Sequence, residues 1–270
     1  MLDTSRHEGL APLTEFAFPV YVSPSLEAAA RPIAQRCERA YRFLSDTLQV
    51  APAVTLRVLS EVDWAEYADS PTFGMPHIRR NTLIVAGEPG TLWQEKTELL
   101  RAAPVWDQAR QVYGDEHGGL NLALFYDLIA VHELAHAFQS HGSVSFPRFW
   151  LMEFFANVCL HAYMARLEPD QLPLLETLPR LMLTLDLAPH YRSLADLEEL
   201  YINVGPLNYE WYQFHLLAAA KALYDTGGVE AVRRLWETFR LPDDRLAGLL
   251  GERVDPRLAQ VLTDWPGDRT

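Results

Sequence analysis

A chain of 270 residues, 49% of them hydrophobic, can bury a sizeable core and sits at the upper end of a single domain or suits two closely packed lobes. Its formal charge of -13, from 23 basic and 36 acidic side chains, repels a phosphate backbone and argues against nucleic acid or an anionic membrane as the main partner. Two cysteines, Cys37 and Cys159, rule out a disulfide framework and a four-thiolate zinc site and read as small buried side chains.

No run approaches the roughly 18 consecutive apolar residues of a spanning helix. The N-terminal MLDTSRHEGLAPLTEF is too polar for a secretory signal, so a soluble, cytoplasmic protein is expected. In chain order, residues 24–49 carry apolar positions at helical spacing, with Pro32 tolerated at a helix start or a kink. VTLRVLS (54–60) alternates after Pro52 and predicts a strand, and NTLIVAG (81–87) predicts a second between PTFGMPH and EPG. From Leu92 to GDEHGG (114–119) the pattern is amphipathic helix, interrupted at Pro104. After Gly119 nearly everything predicts helix, over 120–140, 147–166, 193–203, 208–225 and 228–239, with one or two short ones beyond. Residues 167–192, rich in Leu and Pro, show no clear period, and no repeat or low-complexity tract is present. A boundary near Gly118 and Gly119 is expected to separate an α/β lobe with an edge strand (1–118) from a helical lobe (119–270) within a single catalytic domain.

The chemistry concentrates in VHELAHAFQ, residues 131–139. On a helix His132 and His136 lie on one face a turn apart and can reach a single ion. Glu133 is displaced from His132 by roughly 100° about the axis. That places it beside the ion, where a base acting on an activated water belongs. The surrounding LNLALFYDLIAVHELAHAFQS is apolar on nearly all sides and predicts a buried helix. Two imidazoles and a carboxylate buried without partners would be costly, and a metal removes that cost; the alternative is histidines hydrogen-bonded within a core.

A catalytic zinc needs a third protein ligand and an open position. The pattern HExxHxxGxxH is not followed, because its last two positions hold Gln139 and Gly142, with His141 one residue early. A carboxylate from the next helix is the remaining source, and FPRFWLMEFFANVCL supplies Glu153, with Pro147 marking the helix start. The short HGSVS loop is expected to let the two helices pack antiparallel. Trp150, Leu151, Met152, Phe154 and Phe155 surround Glu153 with apolar side chains and predict its burial. Asn157, four residues on, is expected to orient a ligand histidine through its ring N–H. His161, two turns beyond Glu153, reads as structural.

These segments resemble the gluzincins, the zinc metallopeptidases with HExxH and a downstream glutamate. VHELAHAF is similar to their metal helix, and WLMEFFA (150–156) looks like the WLNEGFA segment of the M1 aminopeptidase branch. YQFHLLAAAKALYDTGG (212–228) is similar to the helix that carries that branch's transition-state tyrosine. The resemblance spans roughly residues 80–240. It implies an α+β, zincin-like (thermolysin-like) fold with a small mixed sheet and a mostly helical C-terminal lobe. It also implies one zinc ion per chain on His132, His136 and Glu153, with Glu133 as general base. Tyr212 takes the oxyanion-donor role by the resemblance, with Tyr209 in reserve and His215 a weaker alternative.

No GAMEN segment is present where the chain reads IVAGEPG, so no glutamate is assigned to a substrate amino terminus; Glu88 is nearby but follows no recognised pattern. Glu153-x-x-Ala156-Asn157 also resembles the regulatory ImmA and IrrE-type peptidases. The expected function is a zinc-dependent metallopeptidase acting on a peptide or protein that adds to the sheet edge, with residues 82–86 as the candidate strand. The alternatives are an inactive or regulatory zinc-binding protein of the same fold, or a metal-free helical interaction module over 119–270.

Overall fold

The computed structural model describes residues 7–90, 92–141, 148–185, 187–239, 246–256 and 265. Two compact units divide after His141, with Thr47–Gln49 grouped in the second. The boundary therefore falls later than Gly118, because the helix carrying VHELAHAFQ packs on the sheet and belongs to the sheet's unit.

In the first unit, strands β1 (Ala11–Leu13), β2 (Val20–Val22), β3 (Thr55–Leu59), β4 (His77–Arg79) and β5 (Thr82–Ala86) form one mixed sheet in the order β1-β2-β3-β5-β4. β2, β3 and β5 run parallel, and the two outer strands pair antiparallel. Every residue of β3 is buried, as befits a central strand. Residues 82–86, expected at the edge, are interior; β5 lies between β3 and β4, and β4 is the edge on that side. The strand β4 carries no readable alternation, being three residues of mixed polarity. It joins β5 through Arg80 and Asn81, both left-handed (φ 48° and 62°), a two-residue hairpin turn without glycine.

Helix α1 (Glu27–Leu48) buries Ala30, Ala34, Cys37, Ala40, Leu44 and Leu48 along one stripe, and holds Pro32 in its second turn. The short α2 (Glu61–Tyr67) is capped by Ser60, whose hydroxyl accepts the Asp63 N–H at 3.2 Å. Helices α3 (Leu92–Ala102) and α4 (Trp106–Tyr113) flank Pro104 as predicted. The helix predicted over 120–140 is two, α5 (Ala123–Tyr126) and α6 (Ile129–His141), and α6 lies against β4 and β5.

In the second unit, α7 (Phe149–Leu167) is buried on all sides, from Trp150 to Met164, which explains its lack of an apolar stripe. The HGSVS loop and Pro147 lie, from Gly142 onward, outside the described residues. Residues 167–192 contain a helix after all, α8 (Leu172–Met182), which buries Leu175, Leu178, Leu181 and Met182. Helix α9 (Leu194–Leu200) begins with a reciprocal capping box between Ser193 and Asp196. The long α10 (Pro206–Thr238) runs beside α7 and breaks at Gly228 (φ 56°, ψ -151°), a backbone reserved for glycine, close to the predicted division at 225–228. A last helix, α11, covers Leu246–Arg253. Among the described residues no helix is long and apolar enough to cross a membrane. Burial pushes the Cys37 thiol up to about 12 and raises that of Cys159, so neither is poised as a nucleophile.

Candidate metal centre

Helical geometry brings the two imidazoles of α6 together. The Nε2 atoms of His132 and His136 lie 3.2 Å apart, with the rings edge to face at 83°. His132, Glu133 and His136 each offer a ligand atom, all within 4.8 Å of one another. His132 is only 4% exposed, while Glu133 and His136 are half-buried.

The protonation of His136 follows from its neighbour one turn on. Its Nδ1 donates to Gln139 Oε1 at 2.7 Å, which places the proton on Nδ1 and the lone pair on Nε2. That is the tautomer a metal requires. A second Nε2 at 3.2 Å gives a pair of nitrogen donors of the kind that suits zinc, with the Glu133 carboxylate alongside. The residues present therefore fit the ion. Sequence reasoning expected Asn157 to orient one ligand histidine; on His136 the acceptor is Gln139, which it met only as a failed motif position.

The glutamate is held by the sheet. Glu133 Oε2 accepts the backbone N–H of Ile78, in edge strand β4, at 3.1 Å. Just before it, His77 donates from Nδ1 to Met75 O at 3.1 Å and accepts the Asp69 N–H at Nε2, and burial keeps it neutral by lowering its pKa. Glu88, noted in the sequence for its proximity, accepts the Glu61 N–H at 2.8 Å and so finishes the first turn of α2.

In the second unit, Glu153 on α7 is 1% exposed. Both of its oxygens act as acceptors, Oε1 from the Tyr201 hydroxyl at 2.5 Å and Oε2 from Gln213 Nε2 at 2.8 Å. Gln213 is in turn held by Asn157, whose amide donates to its Oε1 at 2.9 Å. Tyr201 closes α9 in an uncommon backbone conformation (φ 49°, ψ -120°). Its ring stacks on Phe149, the first residue of α7, with centroids 4.8 Å apart, while Glu198 of α9 accepts the Phe149 N–H at 2.7 Å. Neither Tyr201 nor Gln213 was found by motif.

The resemblance gave Tyr212 the oxyanion-donor role. Tyr212 is fully buried, and its hydroxyl donates to the Ser193 carbonyl at 2.7 Å, tying α10 to the start of α9. Tyr209 is half-buried on the same helix, with its ring 6.2 Å from that of Tyr201. It stands one turn before Gln213, on the helix face that meets Glu153. His215 packs among Trp211 and Trp265, and burial lowers it to about 4. His161 bonds Glu176 at 3.0 Å within a group completed by Lys221, the structural role expected of it.

No protein-family model matches the chain, and no curated protein does. Among solved structures the chain is similar to an M1 zinc metallopeptidase from Deinococcus radiodurans, with a TM-score of 0.52 and 17% identity. The match covers 97% of this chain and 52% of that one, so the chain spans about half the length of that protein. At this identity the likeness shows the fold alone. The mixed five-stranded sheet and predominance of helix agree with an α+β fold of the zincin-like kind.

Proposed function

We propose that the chain is a zinc-dependent metallopeptidase of the gluzincin type. The observation that carries this reading is the convergence of His132 and His136 Nε2 at 3.2 Å, with Gln139 holding His136 in the ligating tautomer and Glu133 at their side. The likeness of fold to a zinc metallopeptidase supports it.

In this reading His132, His136 and Glu153 hold one zinc ion, the third ligand resting on the downstream-glutamate motif and on the burial of Glu153. Bound there, zinc supplies Lewis acidity that activates water at neutral pH. Glu133 takes the proton of the attacking water and delivers it to the leaving amine, with the Ile78 N–H fixing its carboxylate. The oxyanion donor is Tyr209, because Tyr212 spends its hydroxyl on Ser193. A substrate peptide adds to the edge strand β4, beside the carboxylate that its own Ile78 holds. A cavity of about 180 Å³ in the first unit, lined by Gly74, Pro76, Glu88, Trp93 and Ala130, has room for one substrate side chain. Ala130 is one turn before Glu133 on α6, which places the cavity along the same helix face.

The test is metal content and peptide hydrolysis of the wild type, His136→Ala and Glu133→Gln. The reading expects about one zinc per chain in the wild type and in Glu133→Gln, loss of zinc in His136→Ala, and hydrolysis in the wild type alone. A zinc-free wild type, or a Glu133→Gln variant that still hydrolyses, would overturn it.

A further inference from the structure

We infer that Tyr201 and Gln213 are positioning residues that immobilise the Glu153 carboxylate ahead of metal binding. The inference rests on the reading above, in which Glu153 is a metal ligand. A glutamate reaches its target through three rotatable bonds, and a ligand that must be immobilised on binding loses affinity to that ordering. Here the ordering is already supplied. Tyr201 donates to Oε1 at 2.5 Å and Gln213 to Oε2 at 2.8 Å. A carboxylate oxygen can accept more than one contact, so both donors remain in place when one oxygen also meets a cation.

Two further observations show that the donors are themselves fixed. Asn157 donates to Gln213 Oε1 at 2.9 Å, which sets the amide so that its NH₂ faces Glu153 and its oxygen does not. Tyr201 keeps a left-handed backbone (φ 49°) that a bulky residue adopts only when its surroundings impose it. Those surroundings are the stack on Phe149, the edge contact with Tyr209 and the Phe149 N–H bonded to Glu198. An unfavourable conformation is thus retained where it delivers one hydroxyl to one buried carboxylate.

The experiment is a double-mutant cycle on the full chain, reading the apparent zinc dissociation constant by chelator competition together with the thermal midpoint of the zinc-free protein. Tyr201→Phe keeps the ring and its stack and removes only the hydroxyl. It is expected to weaken zinc binding by about 10-fold or more, the usual cost of losing an outer partner of a ligand, and to lower the zinc-free midpoint as well, because a buried acceptor loses its donor. In a Glu153→Ala background the same substitution should cost nothing further, since its effect passes through that carboxylate. Gln213→Met provides an independent second variant with the same expectation. Zinc affinity unchanged in both Tyr201→Phe and Gln213→Met, or an equal cost with and without Glu153, would overturn the inference. Unchanged affinity in Glu153→Ala itself would instead remove the ligand assignment on which it rests.

Discussion

Gln139 Oε1 accepts the Nδ1 proton of His136 at 2.7 Å, so one amide decides which nitrogen of that ring faces the proposed ion. The amide is 4% exposed and cannot be replaced by bulk water without local opening. Gln139→Leu leaves both tautomers accessible and is expected to weaken zinc binding by about 10 to 100-fold, while Gln139→Glu keeps an acceptor and retains it. Chelator competition on the two variants measures this. Equal affinity in wild type and Gln139→Leu would show that the tautomer is set elsewhere.

The Ile78 amide tests the edge strand in a similar way. Because β4 is an edge and this N–H points to Glu133, proline at position 78 removes that bond without breaking an interior ladder. Ile78→Pro is expected to keep its zinc and to lose about 10-fold or more in kcat, as a base held less well transfers its proton less often. Parallel metal analysis and steady-state hydrolysis check it, and loss of zinc along with activity would point to a disturbed α6 instead.

What the sequence disclosed depended on the range of the interaction. The spacing of His132, Glu133 and His136 is a helical period, and a run of 13 residues in α6 realises it directly. The burial of Glu153 was legible from its apolar neighbours for the same reason. Tyr201 was not, because it meets Glu153 across 48 residues from a turn whose left-handed backbone only tertiary packing imposes. The strand β4 was too short for any alternation to register, which moved the expected edge one strand inward. Tyr209 and Tyr212 sit less than one helical turn apart, and burial against Ser193, invisible in the sequence, separates their surroundings.

Acid should destabilise the protein through histidines that are buried neutral. Burial lowers His77, His161 and His215, the last to about 4. For His161 the Glu176 carboxylate opposes that shift and Lys221 adds to it. An unfolded histidine titrates near 6.5, so between about pH 6.5 and 4 the unfolded chain binds more protons than the folded one. The stability these residues contribute is therefore complete above about pH 6.5 and is lost as the pH falls through that window. Thermal midpoints of the zinc-free protein should drop from pH 7 to pH 4.5, and His215→Phe should make the drop shallower. A midpoint that is flat over this range would contradict the buried, neutral state of all three.

Two tyrosines three residues apart should answer oppositely to loss of a hydroxyl. Tyr212 is fully buried and bonded to the Ser193 carbonyl, so Tyr212→Phe leaves a buried acceptor unsatisfied and should destabilise by about 1–3 kcal/mol. Its zinc content and kcat should be kept at temperatures where it is folded. Tyr209→Phe should unfold like the wild type yet lose about 100 to 1,000-fold in kcat, with KM changed little, because an oxyanion donor acts on charge that the ground state does not carry. Denaturant melts beside steady-state kinetics separate the two. If Tyr212→Phe loses kcat while Tyr209→Phe does not, the hydroxyl on Ser193 must leave that carbonyl during turnover, and the start of α9 would have to move with it.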